Sequence, residues 1–184
     1  MLFTELEAVE SFLTLEVREM RGIAVLIGGC VAMFAGCQTV EPIERMSFPE
    51  AEYTVLPATG TARIEGQAFL KTIGGDVKTA AGNAVYLNPV TSYSEQWYAS
   101  YVTGRPLDPA EPDPRLSKYI RETTADGEGR FEFADVPAGE YFVTTRVVWG
   151  VPTGSYGTIS QQGGTVTKRI SIKEGEVIKI IITR

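Results

Sequence analysis

The sequence contains no histidine, and its two cysteines, Cys30 and Cys37, both lie near the N-terminus. Without histidine, the Ser-His-Asp and Cys-His catalytic arrangements are excluded, and the commonest metal ligand is missing. No serine lies in a G-x-S-x-G motif, and no pair of carboxylates has a context that would raise one pKa. We therefore predict a protein that is not an enzyme, with no catalytic residue, no metal and no cofactor.

A stripe of basic side chains is also missing. The 184 residues include 23 Asp and Glu against 17 Lys and Arg, which gives a formal net charge of −6. Domains that bind nucleic acid normally present a clustered basic surface. We therefore expect no nucleic-acid partner.

The long apolar run of the chain lies close to the N-terminus. Gly22–Phe34 is apolar or small and follows Arg21, as in the h-region of a secretory signal peptide, which spans ~7–15 residues. The glutamates of residues 1–19 have the wrong charge for the region ahead of it, so we interpret 1–19 as a gene-model extension and expect translation to start at Met20. An uncleaved membrane span is the alternative, because Gly22–Val40 contains no charged residue.

A short motif closes this apolar run. Phe34-Ala35-Gly36-Cys37 resembles a bacterial lipobox, with small residues at the two positions before the cysteine. The resemblance implies a signal peptide over 20–36, cleavage before Cys37 and lipidation of Cys37, with palmitate among the acyl chains. Two or more acyl chains anchor a protein stably to a membrane. Gln38 follows the cysteine, as in lipoproteins sent to the outer membrane, so we expect a lipid-anchored cell-envelope protein on the periplasmic face of that membrane.

The most regular pattern of the chain lies in Thr123–Val148. It predicts a turn at 126–129, a strand with two aromatics at 131–133, a corner at 136–139 and a β-branched strand over 140–148. The corner contains a proline and a glycine, which interrupt a strand and permit a tight change of direction. This unit of two strands and a corner is typical of an antiparallel β-sandwich.

These residues, together with Gly82-Asn83-Ala84-Val85-Tyr86-Leu87, resemble the carboxypeptidase regulatory-like family. Its members are prealbumin-like (transthyretin-like) modules, similar to the B-type (Cna-B-style) repeats of surface adhesins. Over 61–184 the resemblance implies an all-β, seven-stranded Greek-key β-sandwich. Such modules occur in many unrelated proteins, so the resemblance does not imply a function. Hydroxyisourate hydrolases of this fold rely on histidines and a C-terminal Tyr-Arg-Gly-Ser motif, which this chain lacks.

The composition of the remaining chain predicts a tether, a glycine-rich loop and an apolar last strand. Residues 37–60 contain three prolines and several glutamates, which predicts a tether between the membrane and the sandwich. A glycine-rich loop is predicted over 149–164. The last strand, Val177–Thr183, is so apolar that we expect it to be central in its sheet or covered, because an exposed apolar edge would aggregate.

The insert at 89–117 departs from the pattern of the family. Ser92 and Glu95 have the spacing of a helix capping box, aromatic residues then recur at helical intervals, and Gly104 is predicted to end the helix. The run RPLDPAEPDPR that follows predicts an extended and solvated loop. A loop of this length is usually functional or a structured cap.

Six aromatic side chains form the candidate binding surface, because such side chains dominate interface energies and stack on sugar rings. They are Tyr93, Trp97, Tyr98, Tyr101, Trp149 and Tyr156. In the alternative interpretation, the helix packs its aromatics against the end of the sandwich.

Two groups of acidic residues are candidate sites. Asp126, Glu128 and Glu132 offer oxygen ligands for Ca²⁺ but lack the complete D-x-D-x-D-G loop, so an ordinary turn is expected. Asp108, Glu111 and Asp113 are expected to be solvated in the Pro-rich loop.

Three functions are consistent with these features. The first is a non-enzymatic, lipid-anchored module that binds or assembles with an unidentified envelope protein, through loops 89–117 and 149–164 at one end of the sandwich. The second is a carbohydrate- or peptidoglycan-binding module that uses the same aromatics. The third and weakest is an envelope enzyme with a novel carboxylate site.

Overall fold

The computed structural model describes residues 40–153 and 157–184, and Pro42–Arg184 forms the compact unit that carries the fold. The predicted signal peptide, the lipidation site Cys37 and the aromatic Tyr156 lie outside the described residues. Within the described ranges, no helix is long and apolar enough to cross a membrane.

The described residues are mostly in strands, so the fold is all-β as expected. The strands are β1 (Ile43–Glu44), β2 (Ala62–Lys71), β3 (Val77–Thr79), β4 (Ala84–Pro89), β5 (Leu107–Asp108), β6 (Arg121–Thr124), β7 (Arg130–Val136), β8 (Gly139–Thr153), β9 (Thr158–Ile172) and β10 (Val177–Ile182). The helices are α1 (Glu50–Thr54), α2 (Ser92–Thr103) and a 3-10 helix (Pro114–Lys118).

Two four-stranded sheets form the body of the unit. In the first, called the open sheet, β2 pairs in parallel with β10 and antiparallel with β7, and β3 pairs with the end of β2. In the second, called the covered sheet, the antiparallel order is β6-β4-β8-β9. A separate parallel pair joins β1 to β5.

The main hydrophobic core lies between the two sheets. Alternate residues of each strand face inward, because successive side chains of a strand point to opposite faces. The core includes Ile64 of β2, Leu87 of β4, Val143 of β8 and Val166 of β9, all fully buried. Gly66 of β2 lets the ring of Phe131 lie against the backbone, since a Cβ at Gly66 would be 2.2 Å from that ring.

The outer faces of the two sheets differ. The open sheet presents charged side chains to solvent, with ion pairs between Arg63 and Glu132 and between Lys179 and Glu65 (3.3 Å). The covered sheet presents Phe142, which is fully buried because α2 packs on it.

An outer layer therefore covers the second sheet. It is built from residues 42–60, α2 and residues 105–120, and it has its own small hydrophobic core of Phe48, Tyr53, Tyr93 and Leu116. Tyr53 is completely buried, stacks on Phe48 with ring centroids 4.6 Å apart, and accepts a hydrogen bond from the Thr91 hydroxyl (2.8 Å).

The outer layer corrects two predictions. The part of the predicted tether that the structure describes is folded, because the apolar side chains of 42–60 bury against the insert. The Pro-rich run is not simply solvated, since it contains β5 and leads into the 3-10 helix, whose Leu116 is buried.

The predicted strand count of seven is also corrected. Each of the seven expected strands has a counterpart, and the described residues contain three additional short strands, β1, β3 and β5. The predicted glycine-rich loop over 149–164 is instead the outer half of the β8–β9 hairpin, apart from residues 154–156, which are not described.

The last strand is neither central nor covered as expected. β10 forms an edge of the open sheet, and Val177 and Ile181 are more than half exposed. Two side chains donate hydrogen bonds to backbone carbonyls near this edge. Lys168 of β9 donates to the carbonyl of Ile181 (3.2 Å), and Arg184 donates to that of Thr165 (2.9 Å). Contacts of this kind hinder edge-to-edge pairing with another chain.

Candidate binding site

The N-terminus of α2 is fixed by three side chains. Thr91 and Ser94 form a capping box in which each side chain accepts a hydrogen bond from the backbone N–H of the other residue. The Glu52 carboxylate accepts from both the backbone N–H (2.8 Å) and the hydroxyl (2.6 Å) of Ser92, and these bonds lower the pKa of Glu52. The capping pair is therefore Thr91 and Ser94, and not Ser92 and Glu95 as predicted. Gly104 ends the helix with φ 67°, as expected.

Three of the aromatic candidates on α2 pack on the covered sheet. Tyr98 stacks on Phe142 with centroids 4.7 Å apart, and Trp97 meets the same ring edge-on at 6.4 Å. Tyr101 stacks on Trp97 and donates from its hydroxyl to the carbonyl of Thr165 (2.9 Å). These contacts leave the three side chains half-buried.

Tyr93 and Trp149 lie in other surroundings. Tyr93 is only 2% exposed, belongs to the core of the outer layer, and accepts from the backbone N–H of Asp113 (2.8 Å). Trp149 packs partly on the main core and lines a wide groove beside residues 70–78 of the open sheet. The structure thus does not bring the described candidates into one aromatic surface.

A small pocket lies between the covered sheet and the outer layer. It has a volume of about 230 Å³, which suits a small ligand. The sheet contributes Tyr86, Asn88 and Thr144, α2 contributes Tyr93, Ser94 and Trp97, and the outer layer adds Arg45, Ala110, Pro112, Leu116 and Ile120. We call it the Asn88 pocket.

Asn88 gives this pocket a distinctive polar atom. Its Oδ1 is buried and has no hydrogen-bond partner. Every other buried side-chain nitrogen or oxygen in the described ranges has one. Leaving a buried acceptor unpaired costs about 1–3 kcal/mol, so native proteins rarely retain one without a reason such as a bound water or ligand.

Arg45 is the charged residue among the pocket's lining, and two of its five N–H donors bind backbone carbonyls. Its Nε donates to the carbonyl of Pro109 (2.7 Å) and its Nη2 to that of Ala110 (2.6 Å), which ties residues 109–110 over the pocket. The guanidinium lies 5.7 Å from the centre of the Tyr93 ring. No acidic residue occurs among the described residues that line the pocket.

One residue of each acidic group, Asp126 and Asp113, has structural partners. Asp126 Oδ1 accepts from the backbone N–H groups of Glu128 (2.9 Å) and Arg130 (2.8 Å), as expected for a turn. Asp113 caps the 3-10 helix and pairs with Arg115 (3.0 Å), and this contact lowers the pKa of Asp113. Within the described ranges, no group of three metal-ligating side chains is present.

Sequence reasoning missed Arg45, Tyr86, Asn88 and Thr144 as pocket residues. The signal for Asn88 was a polar amide near the end of a strand of apolar and β-branched residues, since Asn is depleted in strands. The other three have no such signal, because the outer layer that makes them pocket residues was predicted as tether and loop.

The chain is thus a two-sheet β-protein with a small, partly aromatic pocket under an added layer. A scan against family models finds no match, and neither does a search of curated proteins. Among solved structures, the chain is similar to a protein of Pseudomonas aeruginosa named a "putative carbohydrate binding protein". The two are 33% identical, the match covers 76% of this chain and 99% of the other, and the TM-score is 0.65. This chain belongs to the family of that protein.

Proposed function

We propose that this chain is a non-enzymatic carbohydrate-binding protein and that sugar binds in the Asn88 pocket. The observation that carries the proposal is the combination of aromatic walls with polar groups from the sheet. A sugar ring has apolar faces that stack on aromatic side chains and hydroxyls that need hydrogen-bond partners. The name of the 33%-identical relative supports the same class of ligand.

The test uses the two tryptophans of the chain. A Trp149→Phe variant of the full-length protein, purified in detergent, leaves Trp97 in the pocket as the single fluorescent tryptophan. Titration with glucose, N-acetylglucosamine and peptidoglycan fragments is expected to give a saturable change in emission. A flat response to all of these sugars and to a glycan array would overturn the proposal.

Two pocket variants extend this test. Tyr86→Ala removes an aromatic wall that is 40% exposed, and it should weaken sugar binding about tenfold or more, as truncated interface aromatics commonly do. Trp97→Ala should have at least as large an effect, measured by calorimetry because the reporter is lost. Trp149→Ala is the matched control, since its ring lies in the separate groove, and it should bind as the parent does.

We also propose that the protein acts at the cell envelope and is anchored through lipid on Cys37. The lipobox-like motif Phe34-Ala35-Gly36-Cys37 supports this proposal. Cys37→Ser should abolish labelling by radioactive palmitate, whereas Cys30→Ser, in the apolar run, should leave labelling of the mature protein unchanged. Palmitate labelling that persists in Cys37→Ser would contradict the proposal.

We further propose that the sandwich is a prealbumin-like Greek key of the carboxypeptidase regulatory-like type. The eight strands of the two four-stranded sheets support it, because these sheets enclose one core. Comparison of an experimental structure with members of that family tests the strand order.

The second candidate is a module that assembles with an envelope protein. The outer half of the β8–β9 hairpin favours it, because β4 pairs with β8 only over Tyr141–Thr145 while the hairpin continues to Thr153 with Ile159 largely exposed. A partner captured from solubilised envelopes and lost in Ile159→Asp, but retained in Tyr86→Ala, would support assembly over carbohydrate binding.

A further inference from the structure

We infer that Asn88 determines which sugars the pocket accepts: a neutral sugar that donates a hydroxyl or amide hydrogen to Asn88 Oδ1 binds, and an acidic sugar does not. This inference rests on the proposed carbohydrate function. It concerns the class of ligand and the residue that selects it.

No group in the described part of the chain donates a hydrogen bond to Asn88 Oδ1, and three neighbouring side chains donate to other acceptors. The Ser94 hydroxyl donates to the carbonyl of Pro89 (2.8 Å), and the Thr144 hydroxyl shares a hydrogen bond with Thr167 (2.8 Å). Arg45 donates to the two carbonyls of residues 109 and 110. The donor that Asn88 Oδ1 lacks must therefore come from a molecule that enters the pocket.

Asn88 is also held in place by its surroundings. Its backbone pairs with Phe142 in the sheet ladder, and the next residue, Pro89, is joined to α2 through the Ser94 hydroxyl. The helix and the strand are thereby clamped together next to the amide. A polar group that is fixed before the ligand arrives loses little conformational entropy on binding, which favours affinity.

The unpaired acceptor of Asn88 argues against a carboxylate beside it. A carboxylate has no hydrogen to donate to Oδ1, and its negative charge would be desolvated beside an unpaired acceptor. Arg45 is the cation of the lining, and its Nε and Nη2 donors already bind backbone carbonyls. Recognition at Asn88 therefore depends on a hydrogen that the sugar donates, and a carboxylate at this position is disfavoured.

The experiment compares Asn88→Leu with its parent in the Trp149→Phe background. Leucine has a similar size but no acceptor, so binding of the neutral sugar that the parent recognises should weaken tenfold or more. The melting temperature without sugar should stay the same or rise, because an unpaired buried acceptor has been replaced by an apolar side chain. A structural asparagine would behave in the opposite way and lower the melting temperature. Asn83→Ala, in an exposed turn, is the control and should change sugar affinity little.

Two sets of probes test the direction of the hydrogen bond. Glucuronic acid should bind at least tenfold more weakly than glucose. Sugars in which one hydroxyl at a time is replaced by fluorine, which cannot donate, should include one that loses binding to the parent but not to Asn88→Leu.

The outcomes separate this inference from the proposed function. If no sugar changes Trp97 emission, the carbohydrate function fails. If sugar binds the parent and Asn88→Leu equally well, only the inference fails, and Asn88 Oδ1 then binds a water. Equal binding of glucose and glucuronic acid would likewise overturn the inference alone.

Discussion

The two sheets of the sandwich share one core but differ on their outer faces. On the open sheet, many of the residues between the core positions are charged, as in the pair of Lys179 and Glu65, although Val177 and Ile181 are also exposed there. On the covered sheet, the corresponding positions include Phe142, which is fully buried, and Asn88, whose Oδ1 is unpaired. The comparison shows that the scaffold and the pocket have separate origins. The alternating strands make the sandwich, and the pocket exists because a second layer covers one side of it.

The largest expected effect tests whether the outer layer is integral to the fold. Tyr53→Ala should lower the free energy of unfolding by about 3–5 kcal/mol, because a fully buried aromatic and its contact with Phe48 are lost. Arg63→Ala, on the open sheet, should change it by about 1 kcal/mol or less, since exposed ion pairs contribute little. Both values come from urea unfolding. Equally small effects would mean that the outer layer is only loosely attached.

A loss of stability of intermediate size is expected for two glycine variants, which together separate effects on stability from effects on sugar binding. Gly104, at the end of α2, and Gly75, in the β2–β3 turn, both have positive φ and open space around the Cβ position. Alanine at either site should cost about 1 kcal/mol of unfolding free energy, because L-residues are strained in this conformation.

Only one member of this glycine pair should alter the pocket. Gly104→Ala disturbs the helix that carries Trp97 and should also weaken sugar binding, whereas Gly75→Ala should leave the affinity unchanged. If both variants bind as the parent does, the position of α2 does not control the pocket.

The smallest expected effect is a pH dependence of stability that comes from Glu52, in the outer layer over the covered sheet. The bonds from Ser92 lower the pKa of Glu52 below its ordinary value of 4.5. Glu52 therefore contributes stability above about pH 4.5, and this contribution is lost as pH falls through the lowered pKa of the folded state. The stability difference between the parent and Glu52→Gln should shrink between pH 6 and pH 3, as measured by thermal unfolding. A difference that stays constant over this range would contradict the role of Glu52 at the helix N-terminus.

The part of the fold that sequence could predict is the part set by local patterns. Alternation at Phe131 and Phe133, the corner at Pro137 and the stop at Gly104 all depend on neighbouring residues, and each lies in the element expected. The cap of α2 was misplaced by one residue, because Ser92 and Glu95 match the usual capping-box pattern, whereas the partner of Thr91 is a serine, Ser94, which that pattern does not include.

The remaining features depend on contacts distant in sequence. Phe48 and Tyr53 pack against Tyr93 and Leu116. The segment 42–60 has no periodic hydrophobic pattern from which these contacts could be predicted. Whether Asn88 Oδ1 is paired depends on the helix above it. The glycines around 163 predict a loop, whereas Gly163 permits close packing in a strand, since a Cβ there would lie 2.0 Å from the carbonyl oxygen of Val147.

The parallel pairing of β10 with β2 has a consequence for the order of events during biosynthesis. Val177 pairs with Arg63 and Ile182 with Ala68, so the first long strand finds one of its neighbours only after residues 177–182 have been made. Contacts between such distant parts of a chain require a large loop to close, which slows folding. Until then, one edge of β2 is unpaired. A chain that completes its sheet in this way is expected to fold only when its synthesis is almost finished.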